Sequence, residues 1–189
     1  MLKGNKLVNA KTGEPFKIEF LETDPSFERV VSPYIQNLRR IGIDASLRIV
    51  DPAQYQSRVD HFDFDVISTV IAQSQSPGNE QREMWSSAAA DLPGSRNLIG
   101  IKNPAIDTLV DRVVFATNRD ELVAATHALD RALLWNYYMV PQWYNDVINV
   151  AYWNKFGIPE KQPDYVGIDV SSWWIDPAKE QALAKRTAP

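Results

Sequence analysis

The 189-residue sequence contains no cysteine, which excludes a disulfide scaffold, thiol catalysis and a zinc ribbon together. The absence leaves the compartment open, because such a chain folds equally well in reducing and oxidising surroundings. Its eight glycines, at positions 4, 13, 42, 78, 94, 100, 157 and 167, spell neither G-x-G-x-x-G nor a P-loop nor G-x-S-x-G. Nucleotide binding through those devices is excluded, and so is a nucleophile elbow. No apolar run approaches the roughly 18 residues that a membrane-crossing helix needs, and the mean hydropathy is −0.31. Positive charge is also short: the net charge is −4, and the closest basic clusters, Arg39-Arg40 and Lys185-Arg186, are two residues each. Without a basic face to release counterions from phosphates, nucleic acid is excluded as a partner. The opening Met1-Leu2-Lys3-Gly4-Asn5-Lys6 lacks the apolar core and cleavage site of a secretory leader, as expected of a cytoplasmic chain or of a piece of a longer one.

What is present is an α/β pattern. Lys17 to Glu22 alternates, with Ile18 and Phe20 on one face, and reads as a strand. Asp24-Pro25 supplies an N-cap and a first-turn proline, and Phe27, Val30, Val31, Tyr34, Ile35, Leu38 and Ile41 then follow at helical spacing up to Gly42, with a kink expected at Pro33. Leu47, Ile49 and Val50 mark a second strand, Asp51-Pro52 opens a short helix, and residues 64–71 read as a strand buried on both faces. Strand, helix, strand, helix, strand implies a layer built from right-handed crossovers. A long polar excursion, residues 72–97, leaves the last of these strands, where α/β proteins gather ligands. Asn103-Pro104 and Asn118, with Glu121 as a capping-box partner, start two amphipathic helices expected to lie on the sheet. The residues from Trp135 to Trp174 hold eleven of the twenty aromatics, and residues 146–153 read as a further strand.

Chemistry-bearing clusters are few. His61, Asp63 and Asp65 share one face of an extended segment that a divalent metal could use, or else form a turn leading into a buried strand. His127 lies beside the apolar stripe of a helix, without an acidic partner at ligand spacing, and reads as helix surface. Asp107 and Asp111 stand one turn apart and read as a solvated face. Trp143, Tyr144, Tyr152, Trp153, Trp173 and Trp174 fit either a peptide or sugar site or a packing surface, with packing expected for most of them.

Several motifs, in order, resemble a known family. They are Ile41-Gly42-Ile43-Asp44 after the long helix, Phe62-Asp63-Phe64-Asp65-Val66 before the loop Ser76-Pro77-Gly78-Asn79-Glu80, Asn103-Pro104-Ala105-Ile106-Asp107, and Ala128-Leu129-Asp130-Arg131-Ala132-Leu133-Leu134 followed by Val140-Pro141-Gln142-Trp143. Together they resemble the carboxyl-terminal half of the extracellular solute-binding proteins of family 5, the peptide and nickel receptors of ABC importers. Val150-Ala151-Tyr152-Trp153 and Ser172-Trp173-Trp174-Ile175-Asp176 are similar to one branch of it.

The resemblance implies a type II periplasmic binding architecture: residues 1–140 as the second lobe, a mixed sheet flanked by helices, and residues 141–189 as a return segment and tail packing on a missing N-terminal lobe. It implies a periplasmic location, an oligopeptide or peptide-like ligand, delivery to an inner-membrane permease, no cofactor and no catalysis. Oligopeptide-binding relatives place an acidic residue before the proline of the loop after this strand. Here the stretch is Gln73-Ser74-Gln75-Ser76-Pro77, so that charge is missing and the ligand's amino group must be held elsewhere, with Glu80 and Glu83 as candidates, or the ligand is not a plain peptide. Gln73, Ser74, Gln75, Trp85, Arg96 and Asn97 are the candidate contacts, Arg96 suiting a ligand carboxylate through its bidentate fork. Two alternatives remain: an interaction module that dimerises through its aromatic tail, and a hydrolase using Asp63 and Asp65 across a cleft.

Overall fold

The computed structural model describes residues 1–145, 147–161 and 168–187. A hairpin opens the chain, β1 (Leu2–Lys3) pairing antiparallel with β2 (Lys6–Leu7). The alternating segment is β3 (Lys17–Glu22). Asp24 then accepts the Ser26 N–H at 2.8 Å and starts a single 3-10 turn, Pro25–Phe27, that runs into α1 (Glu28–Arg40). Pro33 lies inside α1 without ending it. Gly42 follows at φ 90, and a Cβ there would stand 2.8 Å from the Leu7 nitrogen. Only glycine meets both the left-handed backbone and the close approach of β2.

The chain returns as β4 (Asp44–Ile49), parallel to β3 from Lys17↔Asp44 to Glu22↔Ile49. Asp51 caps α2 (Pro52–Asp60) by accepting the N–H groups of Ala53 and Gln54, both at 3.0 Å. β5 (Val66–Ile67) then joins β3 on its other side, Phe20↔Val66 and Leu21↔Ile67. The order β4-β3-β5 places the first strand in the middle, so the chain reverses its direction of travel across the sheet between β3 and β5. Phe20, Val31, Ile35 and Ala45 form the core between α1 and the sheet, with Tyr34 edge-on to Phe20 at 5.8 Å.

A second core holds no strand. α3 (Glu80–Trp85), α4 (Pro104–Val114) and α5 (Arg119–Trp135) bury Met84, Trp85, Ile101, Ile106, Val110, Val113, Leu129 and Leu133 together. The expectation that α4 and α5 lie on the sheet is therefore corrected: their apolar faces satisfy one another and α3. The caps are as read, Asn103 accepting Ala105 N–H and Asn118 accepting Glu121 N–H. Glu121, however, reaches back to Thr117 and accepts both its N–H and its hydroxyl at 2.9 Å, one residue before the capping-box partner expected. Asp107 and Asp111 are not simply solvated. Asp107 accepts the Ser87 N–H at 2.7 Å and its hydroxyl at 2.6 Å, and Asp111 pairs with Arg82 at 2.8 Å, so both fasten α4 to the α3 region.

Two strand expectations are also corrected. Only Val66–Ile67 of residues 64–71 pairs, and both are half-buried. The strand has β3 on one side only, and beyond it Val70 is 86% exposed. Residues 147–153 contain no strand, and Asp146 lies outside the described residues. A short antiparallel pair, β6 (Phe156–Gly157) with β7 (Trp174–Ile175), forms instead, followed by α6 (Pro177–Thr187). Among the described residues no helix is long and apolar enough to cross a membrane.

Candidate ligand-binding site

In an open α/β sheet the crevice beyond the carboxyl ends of the strands, where strand order reverses, is the place a ligand can enter without displacing a connection. Here it is the gap past Glu22 of β3 and Ile67 of β5. Glu22, the last residue of β3, is only 4% exposed. It accepts the Ser68 hydroxyl at 2.5 Å, and Ser68 is the first residue after β5. From α2 the Tyr55 hydroxyl makes a long contact of 3.4 Å to the Ser68 carbonyl. The Thr23 hydroxyl is buried without a hydrogen-bond partner.

Burial raises the Glu22 carboxyl above its ordinary range, against the hydrogen bonds from Ser68, and the charge of Asp24 adds to the rise. The Tyr55 phenol is raised by burial and by Glu22. None of the ion pairs among the described residues includes Glu22. A carboxylate stripped of water and given no cation is costly to keep, and such groups concentrate at functional sites. Glu22 escapes notice in the sequence because it looks like the polar end of an alternating strand. The strand order brings it to notice: β4-β3-β5 sets the carboxyl ends of the first and third of these strands side by side.

The polar excursion continues from this point. Gln73 gives its amide N–H to the Met84 sulfur at 3.4 Å and accepts from Gln81 at 2.7 Å, and Gln81 in turn accepts the Trp85 indole N–H at 2.9 Å. Ser74 accepts the Ser76 N–H, and the Gln75 carbonyl accepts from Arg119. Burial pulls the Glu80 carboxyl up, but N–H groups of Gly78 and Glu80, the Gln81 amide and the Arg96 charge together bring it below its usual range. Of the six candidate contacts, Gln73, Ser74, Gln75 and Arg96 are exposed.

Trp85 and Asn97 lie inside instead. Trp85 is part of the helical core, and Asn97 spends its amide on the Ser86 and Ile101 carbonyls and on the Ile101 N–H. Both act as scaffold for the loop rather than as its outer surface.

The His61, Asp63 and Asp65 cluster is likewise used internally. His61 Nδ1 lies 2.7 Å from the Ser57 carbonyl, Asp63 pairs with Arg58 at 2.9 Å, and Asp65 accepts the Glu19 N–H at 2.9 Å. Asp65 therefore stands where a strand carbonyl would, a backbone role that removes the observation the hydrolase alternative needed. No group of three His, Asp or Glu side chains among the described residues is placed to hold a metal. A cavity of about 420 Å³ between α1 and β4, lined by Glu28, Ser32, Gln36, Arg39 and Ile49 among others, gathers no buried polar group.

No family model matches the chain. It is 53% identical over 174 residues to a probable peptide-binding protein, YejA, of Agrobacterium fabrum, an alignment covering 92% of this chain and 28% of that protein. A peptidoglycan-binding protein of the same organism, YepA, is 34% identical over 92% of this chain and 28% of its own length. A periplasmic oligopeptide-binding protein of an ABC transporter from Thermotoga maritima, solved with mannohexaose bound, superposes with a TM-score of 0.60 at 22% identity, over 75% of this chain and 29% of that one. The fold is that of a type II periplasmic binding protein. The chain belongs to the family 5 extracellular solute-binding proteins, in the YejA-type branch, as a carboxyl-terminal part. It spans little more than a quarter of the length of the curated relatives it matches.

Proposed function

We propose that this chain is one wall of the ligand cleft in a periplasmic receptor that captures peptides or peptide-like solutes for an ABC importer, and that it performs no chemistry of its own. The observation that carries the reading is the buried Glu22 carboxyl held by Ser68 at the carboxyl ends of β3 and β5, in a chain 53% identical to a probable peptide-binding protein. Gln73, Ser74, Gln75 and Arg96 are the surface contacts of the wall. Amides and hydroxyls suit a peptide backbone, and the Arg96 fork suits a carboxylate.

Residues 1–140 form the second lobe, and residues 141–189 pack on the first lobe of the full-length protein. Trp143, at 67% exposure, and Tyr144, at 86%, supply apolar area that no described residue covers, consistent with a surface that packs on the remaining length of such receptors. A homodimer of the isolated chain would use the same residues, and light scattering at rising concentration separates a dimer from a monomer. The function is tested by passing a pool of short random peptides over the immobilised full-length protein. Retention of peptides, identified by mass spectrometry, is expected. Retention of none contradicts the reading.

A further inference from the structure

We infer that the open edge of β4, with the flank of α1 beside it, is a self-association surface through which two copies of the full-length protein join their sheets. The occupant is a second copy of the same chain, and the inference does not depend on the peptide-capture reading. β4 has β3 on one side and no strand on the other among the described residues. Asp44 and Val50 give their N–H groups to Phe16 and Glu22 on the β3 side, both at 2.9 Å. The alternation of the strand then turns the N–H and C=O groups of Leu47 and Ile49 outward. At the start of the same edge Arg39 closes the outward carbonyl of Ala45, donating from Nη2 at 2.7 Å and from Nε at 3.1 Å. The open length is therefore Leu47 to Ile49, and Ile49 is 41% exposed. Over it lies the cavity of about 420 Å³, whose opposite wall carries Glu28, Ser32, Gln36 and Arg39 as one stripe along α1.

An unpaired edge is a template for another strand, and the charges select which strand it takes. With Arg39 held at Ala45, the stripe ends in a cation beside the start of β4 and in Glu28 beside its end. Neither charge has an ion-pair partner among the described residues. A two-fold axis through Arg48 sets Leu47 of one copy opposite Ile49 of the other, in the antiparallel register where such a pair exchanges both of its N–H···O=C bonds. α1 packs over the β3–β4 pair, so one further strand spacing of about 4.8 Å brings the two α1 helices to about 10 Å, an ordinary helix-packing distance. The helices are then antiparallel. Glu28 of each copy faces Arg39 of the other, and Ser32 faces Gln36, so the surface is complementary to itself as a closed dimer requires. Leu47 packs on the α1 side of the sheet, so the Leu47–Ile49 pairs are covered by the two helices. Arg48 meets its own copy on the opposite face, where each is already paired with Glu19 of its own chain at 3.3 Å.

Sedimentation equilibrium on the full-length protein tests the surface. The wild type is expected to show a monomer–dimer equilibrium at concentrations up to about 100 μM. Glu28→Lys sets like charges against Arg39 at both ends of the interface, and Arg39→Glu sets them against Glu28. Each alone is expected to weaken association at least about tenfold. Mixed in equal amounts, the two variants meet with opposite charges at both contacts, and the mixture is expected to recover association to within about threefold of wild type. That recovery also shows that neither loss comes from misfolding. Ile49→Lys places a charge on the open edge and should remove the dimer with an unchanged circular dichroism spectrum. A wild type that stays monomeric throughout overturns the surface. A dimer that Glu28→Lys and Ile49→Lys leave unchanged overturns it too, because such a dimer uses another face.

Discussion

Leu21→Ala is expected to lower stability by about 3 kcal/mol and, with it, ligand retention at temperatures where the wild type still binds. Leu21 is fully buried in the central strand and pairs with Ile67 of β5. Its removal takes away the transfer free energy of a buried side chain and leaves a cavity that parallel strands on both sides cannot easily close. The position also carries a functional consequence, because the residue after it is Glu22, whose carboxylate must meet Ser68 across the same two strands. Urea denaturation checks the first effect through the midpoint at unchanged slope. A shift worth less than about 1 kcal/mol would mean that the three-stranded layer does not hold the strand ends in place.

Glu22→Gln is expected to act in the opposite direction on the unliganded protein, stabilising it at neutral pH. The sign follows from the raised carboxyl. A group whose folded pKa lies above its unfolded value binds more protons when folded, so its contribution favours folding at low pH and is lost as pH rises through the folded pKa. The stability difference between Glu22→Gln and wild type should be near zero below the ordinary glutamate range, grow as pH rises past it, and become constant above the raised folded pKa. Thermal unfolding of both proteins across that range measures it. A difference that shrinks with rising pH would show that a cation already neutralises Glu22.

The parts of this molecule that are local in the chain are legible in the sequence itself. Asp24-Pro25, Asp51-Pro52, Asn103-Pro104 and Asn118 each cap the helix that follows them, because cap chemistry depends on two or three neighbouring residues. What depends on distant partners is not. Asp107 looks solvated until Ser87, twenty residues earlier, is placed against it. Residues 64–71 have the composition of a central strand, but a strand's length is set by its neighbours, and β5 has β3 alone. Trp85 and Asn97 fall in a polar stretch that invites a surface reading, yet one fills the helical core and the other satisfies buried backbone groups that the loop would leave unpaired. The family resemblance rests on ordered short motifs, and these are sufficient because they punctuate the strands and helices of the shared fold. The Glu22–Ser68 contact rests on no motif. It arises where β3 and β5 end together.

The decisive experiment is hydrogen exchange on the full-length protein, with and without a pool of short random peptides. If this chain is a wall of the cleft, ligand should slow exchange at residues 22–24 and 68–76 and leave the amides of α4 and α5 unchanged. Protection confined to α4 and α5, or absent from the whole chain while peptide is bound, would place the ligand elsewhere and overturn the assignment of this chain to the cleft.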